Sequence, residues 1–141
     1  MEFFATAAVH VRATDLQRQL AIGNLPHWCA SIDKVLENEG DRGSIYCLWG
    51  EFRVHRELIR DGVRFSLPTC PNGLQWTVSV ENGAHAGRAL VHCTINRRKH
   101  ATDFIESIER FVSDWKTGLE GSPPAVHPRP AKGCDCTPWF A

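Results

Sequence analysis

An α+β fold, with an antiparallel sheet of about five strands packed on one face by a long C-terminal helix, is predicted by three features of the sequence. Between residues 44 and 95, apolar and polar side chains alternate in short runs broken by Gly-, Pro- and Asn-bearing turns, the pattern of half-buried antiparallel strands. From residue 103 to 119 the apolar spacing becomes helical. An N-terminal strand and two shorter helical segments precede the strand region, which gives the order β-α-α-β-β-β-β-α.

Taken in order, residues 3–12 read as a strand, because Ala5, Ala7, Val9 and Val11 alternate with Thr6, Ala8, His10 and Arg12. Thr14 or Asp15 offers an N-cap for a short helix through Ala21, stopped at Gly23. A second helix is expected from Pro26 to Asn38, where Pro suits the first turn and Trp28, Ile32, Val35 and Leu36 share a face. One long strand is expected from Ser44 to Glu57, with Gly50 marking a bulge. Val63, Phe65 and Leu67 form the next strand, and Pro68 to Gly73 is a turn. Leu74, Trp76, Val78 and Val80 alternate with polar residues, and after the loop Asn82 to Gly87 so do Ala89, Val91, Cys93 and Ile95.

The last helix has the clearest signature. Asp103 and Glu106 make a D-x-x-E capping box. Phe104, Ile105, Ile108, Phe111, Val112, Trp115 and Leu119 follow at helical spacing, and burying each is worth roughly 1.5–3 kcal/mol before entropy is subtracted. This stripe needs a partner, and the apolar face of the sheet is the obvious one. Residues 1–120 thus form one domain. Residues 121–141, where five of the eight prolines fall, read as an extended, flexible tail.

The order of elements across residues 3–119 resembles a shortened helix-grip (START-like) arrangement, in which a curved antiparallel sheet wraps a long C-terminal helix. That resemblance implies a ligand cavity between sheet and helix. A plain α/β sandwich explains the pattern equally well, and fold analogy supplies no function by itself.

Composition narrows the function classes. Lys plus Arg equals Asp plus Glu at 16 each, which argues against a dedicated nucleic-acid binder. No run reaches the roughly 18 apolar residues of a membrane span, and the N-terminus lacks the basic start of a secretory leader. The cytoplasm is the expected compartment, with the cysteines reduced. Signatures of P-loop, dinucleotide-binding, zincin and serine-hydrolase proteins are absent.

Four places could carry chemistry. Cys134 and Cys136 in the tail could chelate zinc or copper with His127, or relay thiol oxidation; Trp139 and Phe140 beside them could anchor to a groove or a partner. The polar side of the sheet presents Glu51, Arg53, His55, Arg64, Ser66, Gln75, Thr77, His92 and Thr94. There a His beside a carboxylate could act as a base and Arg53 or Arg64 could hold an anion, while a sheet covered on one side simply leaves its other face in water. Cys70, in a Pro-flanked turn, could be an exposed nucleophile if His55, His85 or His92 folds against it. The basic run Asn96 to His100 could meet phosphate, or be a solvated loop. Cys29, Cys47 and Cys93 sit in apolar patterns and read as small buried hydrophobes.

The leading expectation is a small binding or accessory protein that recognises a partner protein or a small ligand, with the tail as a mobile arm and a dimer surface as one use of the sheet. A metal-handling or thiol-redox protein working through the tail is the alternative. A third reading is a small enzyme with a sheet–helix pocket using His55 or His92.

Overall fold

The computed structural model describes residues 1–81, 87–96 and 100–121. Seven strands make one antiparallel sheet: β1 (Glu2–Ala8), β2 (Ile32–Asn38), β3 (Arg42–Cys47), β4 (Gly50–Ile59), β5 (Gly62–Ser66), β6 (Gln75–Val80) and β7 (Arg88–Thr94). Their spatial order is β1-β7-β6-β5-β4-β3-β2, so every neighbour but the β1–β7 pair follows in sequence. Three helices accompany the sheet: α1 (Ala13–Gln19), the single-turn α2 (Leu25–Trp28) and the long α3 (Thr102–Gly121), with a 3-10 turn at Ile22–Asn24.

The expected α+β sheet-and-helix architecture is present, and the strand count rises from five to seven. Both extra strands come from segments that mislead a reading by period. The expected helix Pro26–Asn38 is helical only as α2, and its remainder is β2. Register shifts between Ile32 and Lys34 and between Val35 and Glu37 are β-bulges, and the first puts the inward-facing Ile32 and Val35 three residues apart. A bulged strand therefore imitates helical spacing. The expected single strand Ser44–Glu57 is a hairpin: Cys47 pairs with Gly50 across the Leu48–Trp49 turn, and Gly50 at φ +114° supplies a conformation that other residues rarely adopt.

Helix boundaries also move. The first strand ends at Ala8. Arg12, rather than Thr14 or Asp15, is the N-cap of α1, and the Asp15 carboxylate accepts the Arg12 backbone N–H at 3.1 Å. Likewise α3 begins at Thr102, which puts Asp103 inside the first turn, where its charge suits the helix dipole, instead of at the cap.

Strand parity divides the sheet into two faces. Val54, Val63, Phe65, Trp76, Val78, Ala89, Val91 and Cys93 point inward and are fully buried. α3 lies over β1 and β7, where Ala5, Ala7 and Ala89 give it little to climb over. It buries Ile108, Phe111, Val112, Trp115 and Leu119 against the sheet, five of the seven residues of the expected stripe, while Phe104 and Ile105 in its first turn are half-buried. At its C-terminal end α3 meets α2 at Gly118, where a Cβ would lie 1.8 Å from the Trp28 carbonyl oxygen. No larger residue fits that crossing.

α1 packs over the inner face near β5 and β6 and is held there by an inward-facing cation. The guanidinium of Arg56 donates to the carbonyls of Leu20 (2.7 Å) and Gln17, at the C-terminal end of α1, and pairs with Asp41 at 3.0 Å. These carbonyls have no helical partner, and a positive charge suits that end of the helix dipole. In return the Gln17 amide donates to Ile59 O at 2.8 Å.

Candidate functional site

The seam between the sheet and α3 is lined by aromatic rings. Phe65 and Trp76, neighbours on β5 and β6, stack with centroids 5.3 Å apart. Phe111 of α3 meets Trp76 edge-on at 4.9 Å, and Trp115 lies 6.2 Å from Phe65 and 6.3 Å from Trp76. Trp49, from the β3–β4 turn, extends the column to Phe111 at 5.0 Å and Phe104 at 6.3 Å.

The three indoles of this column differ in one respect. Trp49 donates its N–H to Ser107 Oγ at 2.8 Å, and the Ser107 hydroxyl donates in turn to the Phe104 carbonyl at 2.6 Å. The N–H groups of Trp76 and Trp115 are buried and have no acceptor among the described residues. An orphaned buried donor costs about 1–3 kcal/mol, so natural interiors rarely keep one, and this seam keeps two.

Charge is scarce here. On the inner face of β1 and β3 to β7, Arg56 is the one charged side chain, and α1 and Asp41 engage it. Three thiols also belong to the inner side: Cys29 donates to Phe111 O at 3.8 Å, Cys47 lies at the end of β3, and Cys93 pairs across strands with Trp76. Burial pushes all three up, Cys93 to about 12, so they stay protonated and act as the small hydrophobes the sequence implied.

A groove of about 280 Å³ opens where β2 and β3 meet the flank of α3, lined by Ala30, Ser31, Asp33, Tyr46, Cys47, Leu48 and Arg110. Ser31 donates to Asp114 at 2.5 Å, with Arg110 3.9 Å from the same carboxylate. Partial burial raises the Asp33 carboxyl above its ordinary value, against the pull of Lys34. Sequence reading missed this groove because it assigned β2 to a helix.

The polar residues expected to share the outer face do so. Register aligns Arg42, His55, Ser66, Gln75, Thr94 and Glu2 in one row across six strands, and Glu57, Arg64, Thr77, His92 and Phe4 in the next. Arg53 is held by Glu37 at 2.8 Å and Ser44 Oγ at 3.0 Å, and Arg64 by Glu57 at 3.2 Å. His92 bonds Glu2 at 2.8 Å and stacks flat on Phe4 at 4.4 Å. A His–carboxylate pair therefore exists, on the face away from α3. His55 and His92 lie outside the sheet–helix seam.

Cys70 is half-buried and packs against the core, and its turn is tied down where Thr69 Oγ1 accepts the Arg53 backbone N–H at 3.2 Å. His100, at the end of the basic run, lies 5.2 Å from the Phe104 ring. His85, Arg97 to Lys99, His127, Cys134, Cys136, Trp139 and Phe140 lie outside the described residues. Among the described residues, no three His, Cys, Asp or Glu side chains converge as a metal site, and no helix is long and apolar enough to cross a membrane.

No protein-family model matches the chain, and no curated protein matches it in sequence. Solved structures do match in fold. The protein XoxI from Bacillus cereus superposes with a TM-score of 0.63 at 15% identity, covering 85% of this chain and 93% of its own. A START superfamily protein from Mycobacterium smegmatis gives 0.56 at 11% identity over 86% and 97%. The di-domain ARO/CYC StfQ from the steffimycin biosynthetic pathway gives 0.54 at 11% identity, over 85% of this chain and 44% of that one. At these identities the likeness is one of fold, and the fold is START-like.

Proposed function

We propose that the chain is a small-molecule-binding module whose ligand occupies the seam between the sheet and α3. The orphaned indole N–H groups of Trp76 and Trp115 carry this reading. Two buried donors set among aromatic faces suit a flat, largely apolar molecule that brings a hydrogen-bond acceptor such as a carbonyl. Binding such a guest would recover the cost of two unpaired donors, which a hydrocarbon of the same shape would not. The groove lined by Tyr46, Leu48 and Arg110 would be the ligand's way in, since Leu48 is next in the chain to Trp49 of the aromatic column. A START-like fold supports the reading by analogy, since proteins of this architecture commonly hold a ligand between sheet and helix. Binding is favoured over catalysis because no imidazole or carboxylate points inward from β1 or β3 to β7.

The test uses two probes of matched shape, 2-acetonaphthone and 2-isopropenylnaphthalene, titrated while tryptophan emission is followed. The ketone should bind more tightly by about tenfold for each hydrogen bond recovered. Trp76→Phe and Trp115→Phe should each cut that preference by about tenfold. Trp49→Phe should keep it, because that N–H is already spent on Ser107. Equal affinity for the two probes, with no effect of the Trp76 and Trp115 substitutions, would refute the proposal.

A further inference from the structure

The two ends of the sheet are guarded differently. At one end β2 carries two bulges and the charged side chains of Asp33, Lys34 and Glu37, devices that keep an edge strand from pairing with another chain. At the other end β1 runs through seven consecutive pairs with β7 without a bulge, and Glu2 is its one charged residue.

Hydrogen-bond parity shows which groups β1 leaves open. The Met1 carbonyl and the Val9 N–H both bond toward the β7 side, so the odd-numbered residues face β7 and the even-numbered ones face away. Ala8 is covered, because its N–H donates to Glu120 Oε2 at 2.8 Å and Lys116 holds that carboxylate at 2.6 Å. The backbone N–H groups of Glu2, Phe4 and Thr6 have no partner among the described residues. The Phe4 ring, 59% exposed, stands beside them on the outer face.

We propose that this edge pairs with the β1 of a second copy, as an antiparallel dimer whose two-fold axis passes beside Phe4. The free residues are self-complementary in that register. Phe4 faces its own copy and Glu2 faces Thr6, so three residue pairs exchange about six backbone hydrogen bonds. The register also spares the Glu120 contact, because a shift toward Ala8 would need the N–H that Glu120 already holds. Two Phe4 rings meet at the axis, each stacked on its own His92, so an aromatic row crosses the junction. A second copy is preferred over an unrelated strand because the open edge is short, ends at a defined cap and matches itself.

Sedimentation equilibrium of the full chain up to roughly 0.5 mM tests this. The chain should be a dimer at the upper end of that range. Thr6→Pro removes an outward N–H while sparing the bonds to β7, and Phe4→Lys puts two like charges at the axis; each should weaken association at least about tenfold with an unchanged circular dichroism spectrum. Deleting residues 122–141 should leave the dimer intact. A monomer throughout, a dimer that survives both substitutions, or a chain that dimerises only after that deletion would each overturn the proposal, the last by showing that the chain's own C-terminal segment covers the edge.

Discussion

Replacing Gly118 with alanine sets two well-understood effects against each other, and the structure says which wins. In a helix interior Ala is favoured over Gly by about 1 kcal/mol, and by less in a last turn such as that of Gly118, so propensity alone predicts a slightly more stable protein. At this position, however, the new Cβ would stand 1.8 Å from the Trp28 carbonyl oxygen and 2.8 Å from its carbon. Real Cβ contacts essentially never fall below 3.0 Å, so α3 and α2 must separate by about 1.2 Å, the difference between 3.0 and 1.8. The obstacle is backbone, with no rotamer to turn away. Overpacking of this kind costs typically 1–3 kcal/mol, occasionally more, and a rigid obstacle belongs at the upper end. The net expectation is a loss of about 1–2 kcal/mol, read by urea unfolding as a lower midpoint with an unchanged slope. A second readout follows from Cys29, fully buried beneath α3 with its thiol on the Phe111 carbonyl, which should become reactive toward a thiol reagent in the variant. A Gly118→Ala protein as stable as the parent, or more so, would refute the close crossing of α2 and α3.

Two other perturbations test separate parts of the framework. Arg56→Met keeps most of the side-chain volume but strips the carbonyls of Leu20 and Gln17 of their donor; it should cost roughly 2–3 kcal/mol in urea unfolding, and an unchanged midpoint would mean that α1 does not depend on this cation. The buried thiols make stability fall in alkali. Their folded values are raised, so below the ordinary thiol range both states hold the proton and the stabilisation is complete. Above about pH 9 the unfolded chain releases protons that the folded chain keeps, and stability drops by about 1.4 kcal/mol per pH unit for each such thiol until the folded group itself ionises, about 12 for Cys93. Cys93→Val should flatten the slope between pH 9 and pH 11 by one thiol's worth, and parallel slopes would contradict the assignment.

Much of the framework was legible in the residues because period-2 alternation reports burial directly. Phe52 and Val54 on β4, and the runs centred on Phe65, Trp76 and Val91, all face inward as their alternation implies, and α3 buries its stripe. The misread elements share a cause. Where the ladder slips at Lys34 and Glu37, the apolar period is no longer two, and β2 passes for a helix. Leu48 and Trp49 are apolar residues in a turn, so nothing polar announced the hairpin between β3 and β4. The candidate site was less legible. Trp76 and Trp115 were visible as core, but whether an indole N–H finds an acceptor depends on neighbours from other elements, which spacing does not encode. Arg56 shares the parity of Val54, and an inward arginine finds its partners only when α1 docks on it and the β2–β3 turn brings up Asp41.

On the proposed reading, the N–H groups of Trp76 and Trp115 await an acceptor carried by a ligand. The most direct measurement follows the indole ¹⁵N–¹H resonances during titration with 2-acetonaphthone, each assigned by its Trp→Phe variant. The Trp76 and Trp115 signals should move downfield together and saturate, while the Trp49 signal, its N–H already hydrogen-bonded to Ser107, should stay nearly in place. Trp76 and Trp115 signals that stay fixed at saturating probe would contradict it, and would leave the seam as a packed core.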